Sequence, residues 1–347
     1  MKVYKIGLIG LGKMGRSYLK HLAGNPKYEV VTVCDVNPES LALASSMLPG
    51  VTTSHRPDDI FLDPEIEVVG IFTYADTRPD LIRQAIAARK HIIAEKPLGM
   101  SIQEEEKLLE EIEQSGLMVA VNLFNRSAWY HREIQDFIRS GEIGQLSVIR
   151  ISHQTPGDMP TESQLLEVEG APFHTCGMHY IDVARWYAGS EINRWDAQGV
   201  RTWGWKEPWW VHVHGSFHNG IVFDITQGFT YGQMAQTKTN NSGIELLGTL
   251  GLVRMSHDFT NATVEYFGVN RTDRKVGPYG GKNIDVLCSE FAQSLDTKEN
   301  VGFPTPRDSV IASRLSWDML EYATGHAPVV GSPDEMERIL AHKKRKQ

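Results

Sequence analysis

The feature that most constrains this chain is the run Gly10-Leu11-Gly12-Lys13-Met14-Gly15, set between the apolar segment Val3 to Ile9 and the helical pattern Lys13 to Ala23. Three glycines at that spacing solve one steric problem. The first permits a tight turn, the second lets a pyrophosphate approach the backbone, and the third lets helix and strand pack closely. The helix N-terminus then offers amide hydrogens and the positive end of its dipole. Twenty residues past Gly15, Asp35 follows the next apolar run, Glu29 to Cys34. A carboxylate there accepts hydrogen bonds from ribose hydroxyls and repels a 2′-phosphate, and Val36-Asn37-Pro38 supplies no arginine to bind one. The reading is a dinucleotide site built from Gly10, Leu11, Gly12, Lys13, Met14, Gly15 and Asp35, taking NAD in preference to NADP.

The rest of the first third repeats the strand-helix alternation that builds a parallel sheet. Asn37-Pro38-Glu39 supplies an N-cap, a proline at the first helical position and an acid in the first turn. Val68 to Thr73, His91 to Ala94 and Met118 to Asn122 read as buried strands, and Ser101 to Glu104 as a capping box whose helix closes at Gly116. Helical signal continues to Gly141, and Met178 to Tyr187 forms another helix. Strand patterns dominate beyond it. Val211 to Phe217 alternates, and Asn219-Gly220 turns it back into Ile221 to Ile225. The fold class is therefore an α/β Rossmann domain over residues 1–123, followed by an α+β domain with an open, mainly antiparallel sheet over 124–330. A helix over 304–324 is expected to pack back toward the first domain, and 331–347 reads as a charged tail.

Charge and cysteine usage exclude several classes. A net charge of −8 argues against nucleic acid and anionic membranes as partners, and no apolar stretch is long enough to span a bilayer. The three cysteines, Cys34, Cys176 and Cys288, lack CxxC spacing, so neither a disulfide framework nor zinc is suggested. His212, His214 and His218 lack a carboxylate or cysteine partner, so no metal site is expected. A cytoplasmic location fits these readings. The tryptophans Trp203, Trp205, Trp209 and Trp210 suit a subunit interface or a sugar-stacking platform, with the interface preferred.

Further along, Ala94-Glu95-Lys96-Pro97-Leu98 follows a strand. Phe124-Asn125-Arg126, Ser140-Gly141-Glu142-Ile143-Gly144, Gly177-Met178-His179-Tyr180-Ile181-Asp182 and Pro306-Arg307-Asp308 come after it in that order. With the glycine turn, this series resembles the glucose-fructose oxidoreductase / inositol dehydrogenase / MocA family across most of the chain. The resemblance implies a polyol or sugar substrate held between two domains, and a homodimer or homotetramer formed through the free face of the C-terminal sheet. It also implies a cis bond at Lys96-Pro97, with Lys96 at the substrate hydroxyl and His179 as the proton-transfer residue. Thr73, Tyr74, Glu95 and Lys96 would border the cofactor. Lys96, Asn125, His153, His174, Thr175 and His179 would face substrate. Asp182 reads as a structural acceptor.

The activity implied is NAD-dependent oxidation of a secondary hydroxyl. Two alternatives stand beside it: a glycoside-cleaving enzyme that retains NAD and works through a transient ketone, and a sugar- or NAD-sensing protein without turnover. Two departures from the family pattern stand out. Thr175 occupies a position where the family often has aspartate, with His174 beside it. Thr73 to Arg78 replaces the family's Thr-Pro-Asn-x-x-His, so the usual asparagine is Ala75.

Overall fold

The computed structural model describes residues 2–155, 170–229 and 239–344. They form two compact units, one made of Met1–Ser127 with Lys282–Ile311 and the other of Ala128–Gly281 with Ala312–Gln347. Where the sequence reading carries the second domain from 124 through 330, the structure thus groups Lys282–Ile311 with the first.

In the first unit, strands β1 (Tyr4–Ile9), β2 (Tyr28–Cys34), β3 (Thr52–Ser54), β4 (Val68–Ile71), β5 (His91–Ala94) and β6 (Val119–Val121) make one sheet. Its order is β3-β2-β1-β4-β5-β6, with every pair parallel. The order reverses between β1 and β4. In such sheets ligands bind at that switch, beyond the carboxyl ends of the strands. Near-continuous apolar runs in β1, β4 and β5 are explained by helices covering both faces. The crossing helices are α1 (Lys13–Ala23), α2 (Pro38–Met47), α3 (Asp58–Phe61), α4 (Arg78–Ala87) and α5 (Ile102–Ser115). Asn37 caps α2 by accepting from Glu39 N at 2.8 Å, and Ser101 caps α5 by accepting from Glu104 N. Gly116 closes α5 in the left-handed region at φ 68°. The helical signal that continues to Gly141 corresponds to a 3₁₀ turn at Phe124–Ser127 and a helix at Trp129–Arg139.

Among the described residues, the second unit holds a nine-stranded sheet. Its strands are β7 (Leu146–Gln154), β8 (Ile192–Thr202), β9 (Trp210–Phe217), β10 (Val222–Gly228), β11 (Asn241–Gly248), β12 (Gly251–His257), β13 (Asn261–Gly268), β14 (Thr272–Pro278) and β15 (Val329–Val330). They lie in the order β14-β13-β12-β11-β7-β10-β9-β8-β15. The β10–β7 and β15–β8 pairs are parallel and the rest antiparallel. One face is apolar and packs against helices, as Phe137 does on Tyr266 with ring centroids 4.9 Å apart. Each fully buried aliphatic side chain there contributes about 1.5–3 kcal/mol. The opposite face carries a transverse row of alternating charge, Asp224, Arg150, Glu245, Arg254, Glu265 and Arg274, which are register partners in that order. Ion pairs of 2.8–3.7 Å link successive members: Arg150 with Asp224 and Glu245, Arg254 with Glu245, and Arg274 with Glu265.

Two expectations are corrected here. The stretch read as a tail forms a helix at Pro333–Lys344, because Ser332 N donates to Glu335 Oε2 at 3.1 Å and proline occupies the first turn. Three of the four tryptophans pack against one another, while Trp210 is half-buried and stacks on His212. Trp203 and Trp209 are each 4% exposed, and Trp205 lies 4.9 and 4.3 Å from their rings while donating to Met336 Sδ at 3.0 Å. Trp205 thereby anchors that last helix, an internal partner that the charged sequence of 333–344 conceals.

Candidate active site

The glycine turn is as tight as its spacing requires. Gly10 sits at φ 86°, where a Cβ would lie 2.8 Å from Thr73 N, and a Cβ on Gly15 would lie 1.8 Å from Gly10 O. Around a Cβ on Gly12, by contrast, nothing among the described residues lies within 4 Å, which leaves that backbone open to a phosphate. Gly12 is also the N-cap of α1 and has no side chain to occupy the helix's free amides. Asp35 is held under the turn. Its Oδ2 accepts from Leu11 N at 2.5 Å and its Oδ1 from Asn37 N at 2.8 Å, and each oxygen retains acceptor capacity for a ribose hydroxyl. Val36 beside it is 89% exposed. The residues present therefore fit NAD: an open glycine, a capless helix start and an anchored carboxylate.

The neighbouring strands bring two more loops to the same sheet end. After β4 comes Thr73, half-buried, with its Oγ1 enclosed and without a partner among the described residues, and then Tyr74, which is exposed. After β5 comes Glu95-Lys96-Pro97, with a cis peptide at Lys96-Pro97. Both flanks of Lys96 are fixed. Glu95 is buried and accepts from Asn122 Nδ2 at 2.9 Å. The buried Glu105 on α5 accepts from Leu98 N at 2.6 Å and Gly99 N at 3.3 Å. Arg78, 2% exposed, donates from its guanidinium to both Thr73 O and Pro97 O and so ties the two loops together. Asn122, Glu105 and Arg78 escaped the sequence reading as site residues, since their roles arise only when the loops meet. Asn125 is buried in the 3₁₀ turn, whose Arg126 pairs with Asp308 at 2.9 Å. That ion pair joins two of the motif segments noted in the sequence.

In the second unit, His174, Thr175 and His179 lie on consecutive turns. Phe173–Gly177 is a π-helical turn leading directly into the helix Met178–Ala188. Single π turns inside helices recur at functional sites. Gly177 makes this one possible, because a Cβ there would come within 2.9 Å of the Phe173 ring. His174 points inward: it is 1% exposed, stacks on Trp317 at 4.3 Å, and has Nε2 3.0 Å from Ser313 Oγ. Thr175 is half-exposed, and its hydroxyl donates back to Ala171 O at 3.4 Å. His179 is 2% exposed, and Asp182, fully buried, faces Arg185 at 3.6 Å. His153 on β7 is buried, with Nδ1 3.1 Å from Ser242 Oγ and its ring 4.7 Å from Tyr180. His212 and His214 stack on the sheet's other face, and among the described residues no cluster of three His, Cys, Asp or Glu could hold a metal ion. No described helix is long and apolar enough to cross a membrane.

Residues 4–123 match the oxidoreductase family with NAD-binding Rossmann fold, Gfo/Idh/MocA, and residues 131–254 match that family's C-terminal domain. Inositol 2-dehydrogenase of Salmonella typhimurium is 28% identical over 323 residues, 90% of this chain and 89% of that one. Myo-inositol 2-dehydrogenase of Thermotoga maritima is 25% identical over 196 residues, 56% of this chain and 58% of its own, so this chain spans just over half the length of that relative. Levoglucosan dehydrogenase, solved with NADH and levoglucosan, has the same fold, with a TM-score of 0.78 at 20% identity over 94% of this chain and 98% of that one. A glycine turn above an anchored aspartate, a braced Glu-Lys-Pro loop and both matching domains identify the chain as a member of the Gfo/Idh/MocA oxidoreductase family.

Proposed function

We propose that this protein oxidises a secondary hydroxyl of a sugar, sugar derivative or cyclitol, passing hydride to NAD. The observation that most supports the reading lies within one sheet: the carboxyl ends of β1, β4 and β5, adjacent strands, carry the glycine turn, Thr73 and the braced Lys96 loop. Its relatives include dehydrogenases named for inositols, and a levoglucosan dehydrogenase shares its fold. Oxidation of a carbinol removes hydride from carbon and a proton from oxygen. Bound nicotinamide supplies the hydride acceptor. The protein manages the oxygen: the Lys96 ammonium stabilises negative charge developing there, and the His179 imidazole takes the proton. Glu105, Arg78 and Asn122 serve by holding the Lys96 loop still.

The oligomer fits the outer sheet face. Read backwards, the row from Asp224 to Arg274 meets its own copy with every charge opposite, which is what a two-fold contact requires. Sedimentation at low and high salt tests this. A dimer that weakens as salt rises is expected. A monomer at all salt concentrations, or an oligomer indifferent to salt, contradicts it.

The unaltered protein is expected to bind NAD more tightly than NADP, and the pair Asp35→Ser with Val36→Arg to reverse that order. Calorimetric titration with both dinucleotides decides, and equal or tighter NADP binding by the unaltered protein contradicts the Asp35 assignment. With NAD and a panel of polyols, the reduced nicotinamide absorbance should accumulate. Sugar release from a glycoside without accumulation would instead favour a retained cofactor and a cleavage reaction. Lys96→Ala and His179→Ala should each lower kcat/KM by about 10²-fold. NAD affinity should fall less for His179→Ala, because only Lys96 lies in the cofactor-binding unit. Near-normal turnover in either variant removes that residue from the mechanism.

A further inference from the structure

On the helix-covered face of the nine-stranded sheet, side chains form rows two residues apart along each strand. One row comprises Val213, Ile225, Ile151, Ile244, Met255 and Val264, register partners in that order and all buried. The next row begins at Val211 and changes character. Gln227, His153 and Ser242 are register partners across β10, β7 and β11, and His257 follows on β12 one step past the Gly243–Ser256 pair. An apolar core thus becomes polar within two residues on four strands at once.

Gln227 is 0% exposed, and among the described residues neither its amide oxygen nor its amide nitrogen has a partner. Buried amides are almost always hydrogen-bonded, so one with both ends unanswered calls for a ligand or an ordered water. Nδ1 of His257 is likewise enclosed and without a partner among the described residues. Burial holds this imidazole down to about 4, so the ring is neutral and offers one donor and one acceptor. Aromatic rings flank the row. Tyr180 lies 4.7 Å from His153, and Tyr279 and Phe259 lie 4.4 and 4.8 Å from His257.

We propose that this row is a substrate-recognition wall, and that Gln227 selects a neutral polyhydroxylated ring. The inference rests on the dehydrogenase reading above and narrows it. A primary amide presents a donor and an acceptor side by side, which matches two adjacent hydroxyls on one ring. The aromatic faces suit that ring's C–H surface. No member of the row is a carboxylate or an ammonium, so a sugar acid would bring a charge into enclosed surroundings with no counter-charge from the wall.

Gln227→Met removes the amide at nearly constant volume. Myo-inositol, D-glucose and D-gluconate are the probes, each with NAD, and the readouts are KM, kcat, NAD affinity and melting temperature. The variant should melt no lower than the unaltered protein, because an unpaired polar group has been removed. NAD affinity and kcat should hold, while KM for the neutral probes rises about tenfold or more. The unaltered protein should favour a neutral probe over D-gluconate. Should Gln227→Met fail to fold, His257→Phe carries the same expectation for KM. An unchanged KM in a folded variant, or a preference for D-gluconate, overturns the assignment. If no probe reduces NAD, the dehydrogenase reading falls, and thermal shift still reads the wall. Neutral probes must then raise the melting temperature of the unaltered protein but not of Gln227→Met, and the absence of that difference overturns the wall as well.

Discussion

The contact between the start of α1 and the end of β1 sets everything else in the cofactor-binding unit. Only glycine at residue 15 lets the helix approach the Gly10 carbonyl, since a single added carbon would overlap it at 1.8 Å. That closeness aims the uncapped amides of α1 past Gly12 into open space and brings Leu11 N onto Asp35. The turn, the dipole and the carboxylate are therefore one object: loosening the helix would unseat the Asp35 carboxylate. The adjacent loops follow from the same sheet, because β4 lies beside β1 and β5 beside β4.

The Lys96 loop is fixed in its backbone on both sides of the lysine. Lys96 itself is half-buried, yet Glu95 is bonded on one side and Leu98 and Gly99 on the other. Arg78 adds a brace between this loop and Thr73. A guanidinium suits that task because its fork can serve two carbonyls at once. In the other unit a π-helical turn has a comparable role, offsetting His174, Thr175 and His179 from regular helical spacing.

Much of this was legible in residues close together in the chain. The glycine turn, the Asn37 and Ser101 caps, the Gly116 stop and the helix from Met178 all follow from local chemistry, and the structure has each of them. What escaped depends on distant partners. Glu105 sits one residue past a recognisable cap and acts on Leu98 and Gly99. Arg78 was visible only as a substitution in a family pattern. The last helix was obscured by its charge, although Ser332-Pro333-Asp334-Glu335 is a start signal, and the tryptophans were misread for want of that helix. Gln227 could not be singled out from sequence, because its isolation appears only when four strands align.

Isotope transfer is the most direct test of hydride chemistry on a polyol. The protein would be incubated with NAD and an inositol deuterated at its ring carbons, and the dinucleotide recovered and analysed by proton NMR. The account predicts reduced nicotinamide carrying deuterium at C4, in equal amount to a keto product. Consumption of polyol that leaves the dinucleotide free of deuterium would contradict it.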